Sequence, residues 1–403
     1  MEGLAYALIG IIAFWILINK LHDVYKEKFE KLHIEVNGVF LMWKFKLLPN
    51  KLFNFIRKHY RAFRMLFNIG IVLSTIVFLY AMKIYLDNLS GIFGKLISGS
   101  RISEGVGTPI VPIIPGVTIA FSELPYLLLA LAIAVTFHES FHAIAAISEN
   151  IKVESWGLAL ILFLPAAFIE PSEREFKKAK LASRVRVYSA GPSANVILAL
   201  LTLAFIAFSI PALYNVTGGL EVVKVVEGSP AYRGGVEEGS LIVMVNGVPL
   251  SKDVSLVQMI FMPTILYKGL FDVTRQYEGL EANITLTLMR SVNGKIEMYN
   301  VTVHKLANES KLGVYIIPRI ILQGKTAIAE YVKIPLLKSA IWMFIVNIGF
   351  ALINVTPLII TDGGKMFEEL ITRLFGEKGK KASLTIQSIL IIILIINILA
   401  SMM

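Results

Sequence analysis

The sequence predicts a polytopic α-helical membrane protein with about six transmembrane helices and a small inserted α+β domain. Hydrophobic residues make up 56% of the 403 residues and charged residues 17%, and the mean hydropathy is +0.69. This balance is too apolar for a water-soluble enzyme and is typical of a membrane protein. Long apolar runs recur along the chain, and one polar segment rich in β-branched residues interrupts them.

The predicted spans are apolar runs of roughly 17 to 25 residues with few or no charges. Around them we divide the chain into four parts. Residues 1–110 hold the first two spans and a basic segment, 111–213 hold the first half of a membrane core, 214–320 form the insert, and 321–403 complete the core. The spans are residues 3–19, 66–86, 120–147, 187–210, 336–361 and 384–401.

The distribution of basic residues predicts the orientation. Residues 20–65 hold 11 Lys and Arg against 4 Asp and Glu, whereas residues 212–335 hold 12 against 11. Because cytoplasmic loops are enriched in Lys and Arg, we expect residues 20–65 to face the cytoplasm. The N-terminus and the insert are then expected outside a cell membrane. The net charge of +10 reflects this orientation, and we expect no nucleic-acid partner.

Two segments between the spans carry predictions of their own. The basic, aromatic segment 20–65 either lies on the inner leaflet or forms a small cytoplasmic subdomain, and the sequence favours neither. Residues 157–169, GLALILFLPAAFI, are apolar but too short to cross a bilayer, and they contain Pro165. We predict a re-entrant hairpin buried in protein, because a lipid-exposed break would leave backbone groups unpaired.

The insert contains GGLEVVKVVEGSPAYRGGVEEGSLIVMVNGVPL, residues 218–250, in which short strands alternate with Gly-Ser-Pro and Asn-Gly turns. This pattern resembles the PDZ domains of membrane and periplasmic proteases; an unrelated small β-domain is the alternative. The resemblance implies a carboxylate-binding turn at Gly218, Gly219 and Leu220. It also implies a peptide C-terminus as the partner of this domain.

The stretch LLLALAIAVTFHESFHAIAA, residues 127–146, places ionisable side chains inside an apolar run. His138 and His142 are four residues apart, so on a helix both project from one face and can share a Zn²⁺ ion. Glu139 lies about 100° around the same turn, where it can act on a water molecule without being a ligand. Because cysteine is absent, further ligands must be His, Asp or Glu. The alternative is a pair of histidines that hydrogen-bond across a helix bundle.

Two further motifs lie in or beside apolar runs. Asp362 follows NVTPLIIT (354–361) and precedes two glycines, which allow close backbone packing and can begin a helix. By itself, Asp362 could equally be a helix N-cap. The segment SAGPSANVILALL (189–201) contains Asn195 among small residues. It is either a helix packing seam or the site of a buried polar group that needs partners.

Taken in order, the three motifs with a PDZ-like insert between the second and third resemble the site-2 protease family of zinc intramembrane metalloproteases. The resemblance covers about residues 110–370. It implies one Zn²⁺ ion per chain, held by His138, His142 and Asp362. It also implies that Glu139 is the catalytic base, at a site nearer the cytoplasmic side.

The same resemblance implies substrate contacts by Asn195 and Asn354, with a transmembrane protein in the lipid bilayer as the substrate. The chain departs from many family members between Asn354 and Asp362, where a further proline and a leucine are missing. Two other functions remain open. One is a catalytically inactive membrane scaffold that recruits partners through the PDZ-like domain. The other is a cation transporter with intramembrane ionisable groups, although paired broken helices in two matching halves are absent from the sequence.

Overall fold

The computed structural model describes residues 2–45, 50–102, 106–292 and 295–402, and the chain divides into two compact units. The membrane unit comprises Met1–Thr202 and Lys338–Met403, and the insert unit comprises Leu203–Leu337. In the described residues, five helical segments are long and apolar enough to cross a membrane, so the chain is a multi-pass membrane protein. These are Tyr60–Ser98, Phe121–Ser148, Leu181–Leu213, Ala327–Val355 and Asp362–Met402.

The first predicted span, residues 3–19, lies within a helix, but some of its side chains fall outside the described part. The count of six spans therefore stays a prediction. The helices of the membrane unit and its junctions are α1 (Glu2–Val24), α2 (Lys26–Lys31), α3 (Asn50–Lys58), α4 (Tyr60–Ser98), α5 (Leu124–Ser148), α6 (Glu173–Lys178), α7 (Leu181–Ala204), α12 (Ala327–Val355) and α13 (Asp362–Met402).

Helix α5 lies between other helices of the membrane unit because small side chains let them approach it. Its Ala145 packs with Phe67 of α4 and Val187 of α7. Towards its other end, Ala134 packs with Trp342 of α12. An apolar helix packed in this way holds its polar side chains inside protein, where they can meet groups from several helices.

Helix α13 consists of two helical pieces separated by a break at Gly376, whose φ is 60°. The first piece begins at Asp362 and includes the glycine pair, and the second contains the predicted span 384–401. Helix α4 is 39 residues long and ends at Gly99, whose φ is 69°. It therefore runs well beyond the predicted span 66–86.

Residues 157–169 form a hairpin of two β-strands, as predicted, but the predicted burial in protein is not borne out, because Leu158, Leu162 and Leu164 are exposed. A re-entrant position in the membrane stays a prediction. Strand β3 (Val153–Ile161) pairs with β4 (Leu164–Pro171) in antiparallel register around a turn at Leu162. The indole nitrogen of Trp15 in α1 donates a hydrogen bond to the Leu162 carbonyl at 2.8 Å. The hairpin therefore contacts the first helix.

Residues 20–65 supply the rest of this sheet, which neither alternative for that segment included. Strands β1 (Ile34–Asn37) and β2 (Phe40–Phe45) extend the hairpin into a four-stranded sheet of order β1-β2-β3-β4. Phe45 stacks on Trp156 with ring centroids 4.8 Å apart. Strand β4 is an edge of this sheet, so one side of its backbone is not paired within it.

The insert unit contains an antiparallel sheet of order β10-β5-β6-β8-β9, with β7 paired to β6. The predicted α+β character and the Asn-Gly hairpin are confirmed, since Asn246 and Gly247 both have positive φ between β6 and β7. Resemblance to a PDZ domain stays a prediction. The elements are β5 (Tyr214–Val225), β6 (Leu241–Val245), β7 (Val248–Pro249), β8 (Ala282–Val292), β9 (Lys295–Lys305), β10 (Val314–Gly324), α8 (Ile210–Leu213), α9 (Pro230–Arg233), α10 (Leu256–Phe261) and α11 (Ile265–Gln276).

The prediction of a carboxylate-binding turn at Gly218, Gly219 and Leu220 is wrong, because these residues are extended. These residues lie inside β5, where Gly219 pairs with Arg319 of β10 and Leu220 also pairs with Ile242 of β6. The glycines serve close packing, because a Cβ at Gly218 would lie 2.5 Å from the sulfur of a methionine and one at Gly219 would lie 2.6 Å from a carbonyl oxygen. With both sides of β5 paired, a peptide cannot add to it at Leu220.

Candidate metal centre

The two histidines of the predicted motif face the interior of the membrane unit from one side of α5. His138 and His142 are one turn apart, and their side chains are 8% and 10% exposed. Their Nε2 atoms lie 3.1 Å from each other. The four-residue spacing therefore places both imidazole rings on one face of the helix, as predicted.

Asp362 joins this pair from a distant part of the sequence. Its Oδ2 atom lies 3.1 Å from Nε2 of His138 and 3.1 Å from Nε2 of His142. The three side chains form a group that can hold a metal ion. The prediction that Asp362 lies beside the two histidines is confirmed by these distances.

The start of α13 positions Asp362 through the residues around it. Thr361 Oγ1 accepts a hydrogen bond from the Gly364 amide at 3.1 Å, as an N-cap side chain does. The alternative in which Asp362 is itself the N-cap is therefore wrong, and its carboxylate is free to face the histidines. A Cβ at Gly363 would collide with the Val355 carbonyl, so the predicted close packing of the glycines is confirmed.

Outer hydrogen bonds determine which nitrogen of each histidine faces the centre. His142 Nδ1 lies 2.7 Å from the Val187 carbonyl oxygen, which can only accept. His138 Nδ1 lies 2.9 Å from Asn195 Oδ1. When Nδ1 donates, the Nε2 of a neutral imidazole carries a lone pair. Two such lone pairs and a carboxylate oxygen converge here, and a cation held among them would offset their repulsion.

The donor set fits zinc in type and spacing. Two imidazole nitrogens and one carboxylate oxygen leave a fourth position open, as catalytic zinc sites do. Bonds of about 2.0–2.1 Å at tetrahedral angles place neighbouring donors about 3.3 Å apart. The observed donor separations of 3.1 Å are close to that value.

A second asparagine, Asn347 of α12, supports His138 through Asn195. Asn347 Nδ2 donates to the Met343 carbonyl at 2.8 Å, which turns its Oδ1 towards Asn195. Asn195 Nδ2 donates to that oxygen at 3.2 Å, so Asn195 Oδ1 faces His138. Both asparagines are fully buried. Sequence reasoning missed Asn347, although an amide inside a predicted span is a signal that buried partners exist.

Gly191 explains why the small-residue segment of α7 lies beside the metal centre. A Cβ at this position would collide with Nε2 of both His138 and His142. The segment is therefore a packing seam and also the site of a buried polar group, Asn195, so both interpretations of it hold.

Glu139 lines a cavity of about 300 Å³ that also borders His142 and Asp362. We call this the glutamate cavity; Glu139 is half-buried in it. Polar groups from other elements complete its wall, including Glu173 and Lys365. Glu139 is thus beside the metal group and open to a space that can hold water.

The predicted substrate contacts of the two motif asparagines find no support in their hydrogen bonds and stay predictions. Asn195 is fully buried and bonded to protein at both ends of its amide. Asn354 is half-buried and donates to the Phe350 carbonyl of its own helix at 3.1 Å.

The fold and the site define a class of protein: a polytopic membrane protein with a buried His-His-Asp group that can hold a metal ion and a glutamate beside it. The family model for Peptidase family M50 matches residues 126–397, which is two thirds of the chain. The chain belongs to this family, the site-2 protease family, whose members are zinc metalloproteases in general.

Two relatives are similar to parts of this chain. An uncharacterized protein of Methanocaldococcus jannaschii is 29% identical over 255 residues, covering 63% of this chain and 56% of the relative. A membrane-bound transcription factor site-2 protease homolog of Arabidopsis thaliana is 28% identical over 142 residues, covering 34% of this chain and 27% of the relative. The chain therefore matches only about half, or less, of the length of these relatives.

Proposed function

We propose that this protein is an intramembrane zinc metalloendopeptidase that cleaves peptide bonds within or near the transmembrane helices of other membrane proteins. The observation that carries the proposal is the convergence of His138, His142 and Asp362, with Nε2 and Oδ2 atoms 3.1 Å apart. Burying such groups in a membrane protein is costly without a partner or a function.

The residues divide the chemistry between them. A zinc ion held by His138, His142 and Asp362 would polarise the substrate carbonyl and activate water near neutral pH. Glu139 accepts a proton from the attacking water and passes it to the leaving amine. Asn195 holds the His138 ring in the tautomer that presents Nε2.

We propose that water reaches the metal group from the cytoplasmic side, through the glutamate cavity. The beginnings of α4 and α7 meet the end of α5, where Arg64 and Arg186 both bind Glu149, at 2.9 and 2.6 Å. Arg57 donates to Asn150 beside them at 3.2 Å. Arginines gathered at one end of the membrane unit support a cytoplasmic location for that end, with the N-terminus and the insert outside.

The substrate is a transmembrane helix that must unwind locally, because its carbonyls are bonded internally. We propose that the unwound segment pairs with the free edge of β4. Ile169 and Pro171 of β4 line the glutamate cavity together with Glu139, which supports a cleaved bond next to this strand. Pairing would satisfy the backbone groups of the substrate while it is extended.

For the insert, we propose a role in limiting access by substrates with bulky extracytoplasmic domains. Because β5 is paired on both sides at Leu220, binding of a peptide C-terminus at this position is less well supported than a role in limiting access. Replacing residues 218–310 with a short linker should widen the range of membrane proteins that are cleaved; an unchanged range would contradict this role.

The central test compares the wild type with Glu139→Gln, both purified and placed in vesicles with a membrane-embedded substrate. We expect one zinc ion per chain in both proteins and product from the wild type alone. Loss of the general base should lower the rate by about 10²–10⁴-fold. Zinc bound without product in either protein would favour a scaffold or transporter, and equal product from both would exclude Glu139 as the base.

A further inference from the structure

Two cavities in the membrane unit share a wall at Asp362 and Tyr188. One is the glutamate cavity, which contains Glu139. The second has a volume of about 220 Å³ and lies on the side of α4, α7 and the start of α13. Phe78, Phe367 and other apolar side chains line most of it, so we call it the apolar cavity. A molecule bound at the metal group can therefore reach into two different environments.

The two cavities differ in the polarity of the side chains that line them, and this difference suits them to different roles. Charged groups such as Glu173 and Lys365 border the glutamate cavity, whereas Asp362 is the one charged side chain among the described residues that line the apolar cavity. Polar cavities hold water, and apolar ones stay dry and bind apolar groups. Water delivery and proton transfer therefore belong to the glutamate cavity.

The size of the apolar cavity indicates its occupant. A cavity of about 150 Å³ lined by apolar side chains holds a benzene ring, so about 220 Å³ accommodates the side chain of leucine, methionine or phenylalanine. Asp362 is both a member of the metal group and part of the cavity wall. A side chain in this cavity therefore comes from a residue close to the bond that is cleaved.

We propose that the apolar cavity is a specificity pocket for one large apolar side chain of the substrate, from a residue adjacent to the cleaved bond. This inference rests on the proposed peptidase function. It adds a sequence preference that the metal group alone does not provide, because each methylene group in such a pocket changes the relative rate by about 10-fold or more.

Thr75 allows the pocket to be narrowed from its exposed rim. This residue lines the cavity, and its own side chain is exposed, so Thr75→Phe should fill space without disturbing the buried core. The neighbouring Ile76 is 58% exposed and does not line the cavity, which makes Ile76→Phe a matched control. Phe367→Ala enlarges the same pocket from its inner wall.

The experiment uses full-length protein in vesicles with a set of membrane-embedded substrates that carry Ala, Leu, Phe or Trp at each position beside the cleaved bond. Products are identified by mass spectrometry under competition. We expect the wild type to prefer Leu or Phe over Ala at one position by about 10-fold or more. Thr75→Phe should remove that preference, Ile76→Phe should retain it, and Phe367→Ala should newly accept Trp.

Product formed without preference at any flanking position would overturn the inference while leaving the peptidase function intact. A wild-type preference that neither Thr75→Phe nor Phe367→Ala alters would also overturn it, because the pocket would then lie elsewhere. Absence of product from the wild type would refute the peptidase function first, and the inference with it.

Discussion

Asn347 of α12 accepts a hydrogen bond from Asn195 of α7 at 3.2 Å, and this bond orients the amide that holds His138. Since the Met343 carbonyl fixes the direction of Asn347, a backbone group of one helix determines the tautomer of a histidine on another. Residues that orient ligands typically affect metal affinity by 10–100-fold.

We expect Asn347→Leu to lower zinc affinity by about 10–100-fold, because Asn195 would be free to turn its amide away from His138. Zinc affinity is measured by chelator competition on purified protein. Asn397→Leu is the control: Asn397 is equally buried and also donates to a carbonyl of its own helix, that of Ile393, but its Oδ1 accepts no hydrogen bond in the described part of the chain. Equal zinc loss in both variants would mean that the effect is general destabilisation.

Gly191→Ala should reduce zinc occupancy strongly, because the added methyl group would collide with Nε2 of both His138 and His142. The histidines must move apart or α7 must withdraw, and either change spoils the spacing of the donors. Gly349→Ala adds the same methyl group on α12 where no atom lies within 4 Å. Zinc content by elemental analysis should fall in the first variant only; full occupancy in Gly191→Ala would contradict the close contact.

Glu149 should stabilise the membrane unit in a pH-dependent way. Burial raises the pKa of Glu149, but the hydrogen bonds from Arg186 and Ser183 and the positive charges of Arg186 and Arg64 together leave the pKa below its ordinary value. Because folding favours the ionised form, the stabilisation is present above the unfolded-state pKa and is lost as the pH falls through the folded-state pKa. Removing one partner of a buried ion pair costs about 3–5 kcal/mol.

Thermal unfolding in detergent tests this relationship. Glu149→Gln should be less stable than the wild type at neutral pH, and the difference should shrink in acid. The control is Glu173→Gln, whose ion pair with Lys177 is exposed to solvent and should contribute little to stability. A stability difference for Glu149→Gln that does not vary with pH would argue against an ionised Glu149.

Pairing of the substrate with β4 predicts an alternating effect of backbone methylation. In an extended peptide, successive N–H groups point to opposite sides, so only every second one can face the strand. Competing peptides methylated at those positions should bind about 2- to 10-fold more weakly per site, from the loss of about 0.5–1.5 kcal/mol for each hydrogen bond. Peptides methylated at the intervening positions are the control, and equal effects on both sets would exclude strand pairing.

Local features of the centre follow from short-range sequence rules. Four-residue spacing places His138 and His142 on one helical face, and the two glycines after Asp362 predict that the backbone packs closely against a neighbouring segment. The hairpin at 157–169 follows from a run too short to cross a bilayer. Each of these predictions depends on residues within a few positions of one another.

Long-range pairings escaped prediction for a physical reason. The strands at 34–45 join a hairpin more than 100 residues later, and nothing in their own pattern specifies that partner. A turn was expected at Gly218 to Leu220 because the surrounding sequence resembles a PDZ domain. Their actual role depends on the methionine and carbonyl groups packed against them, and those neighbours come from other elements.

By itself, the sequence determined that this is a membrane protein with a candidate zinc-binding histidine pair, because bilayer thickness and helical periodicity act locally along the chain. The family resemblance implied Asp362 as the third ligand. Only the tertiary structure showed its contact with the two histidines, the support of His138 by Asn195 and Asn347, and the two unlike cavities that meet there. Contacts between helices depend on side-chain packing in three dimensions, and no spacing along the sequence encodes that packing directly.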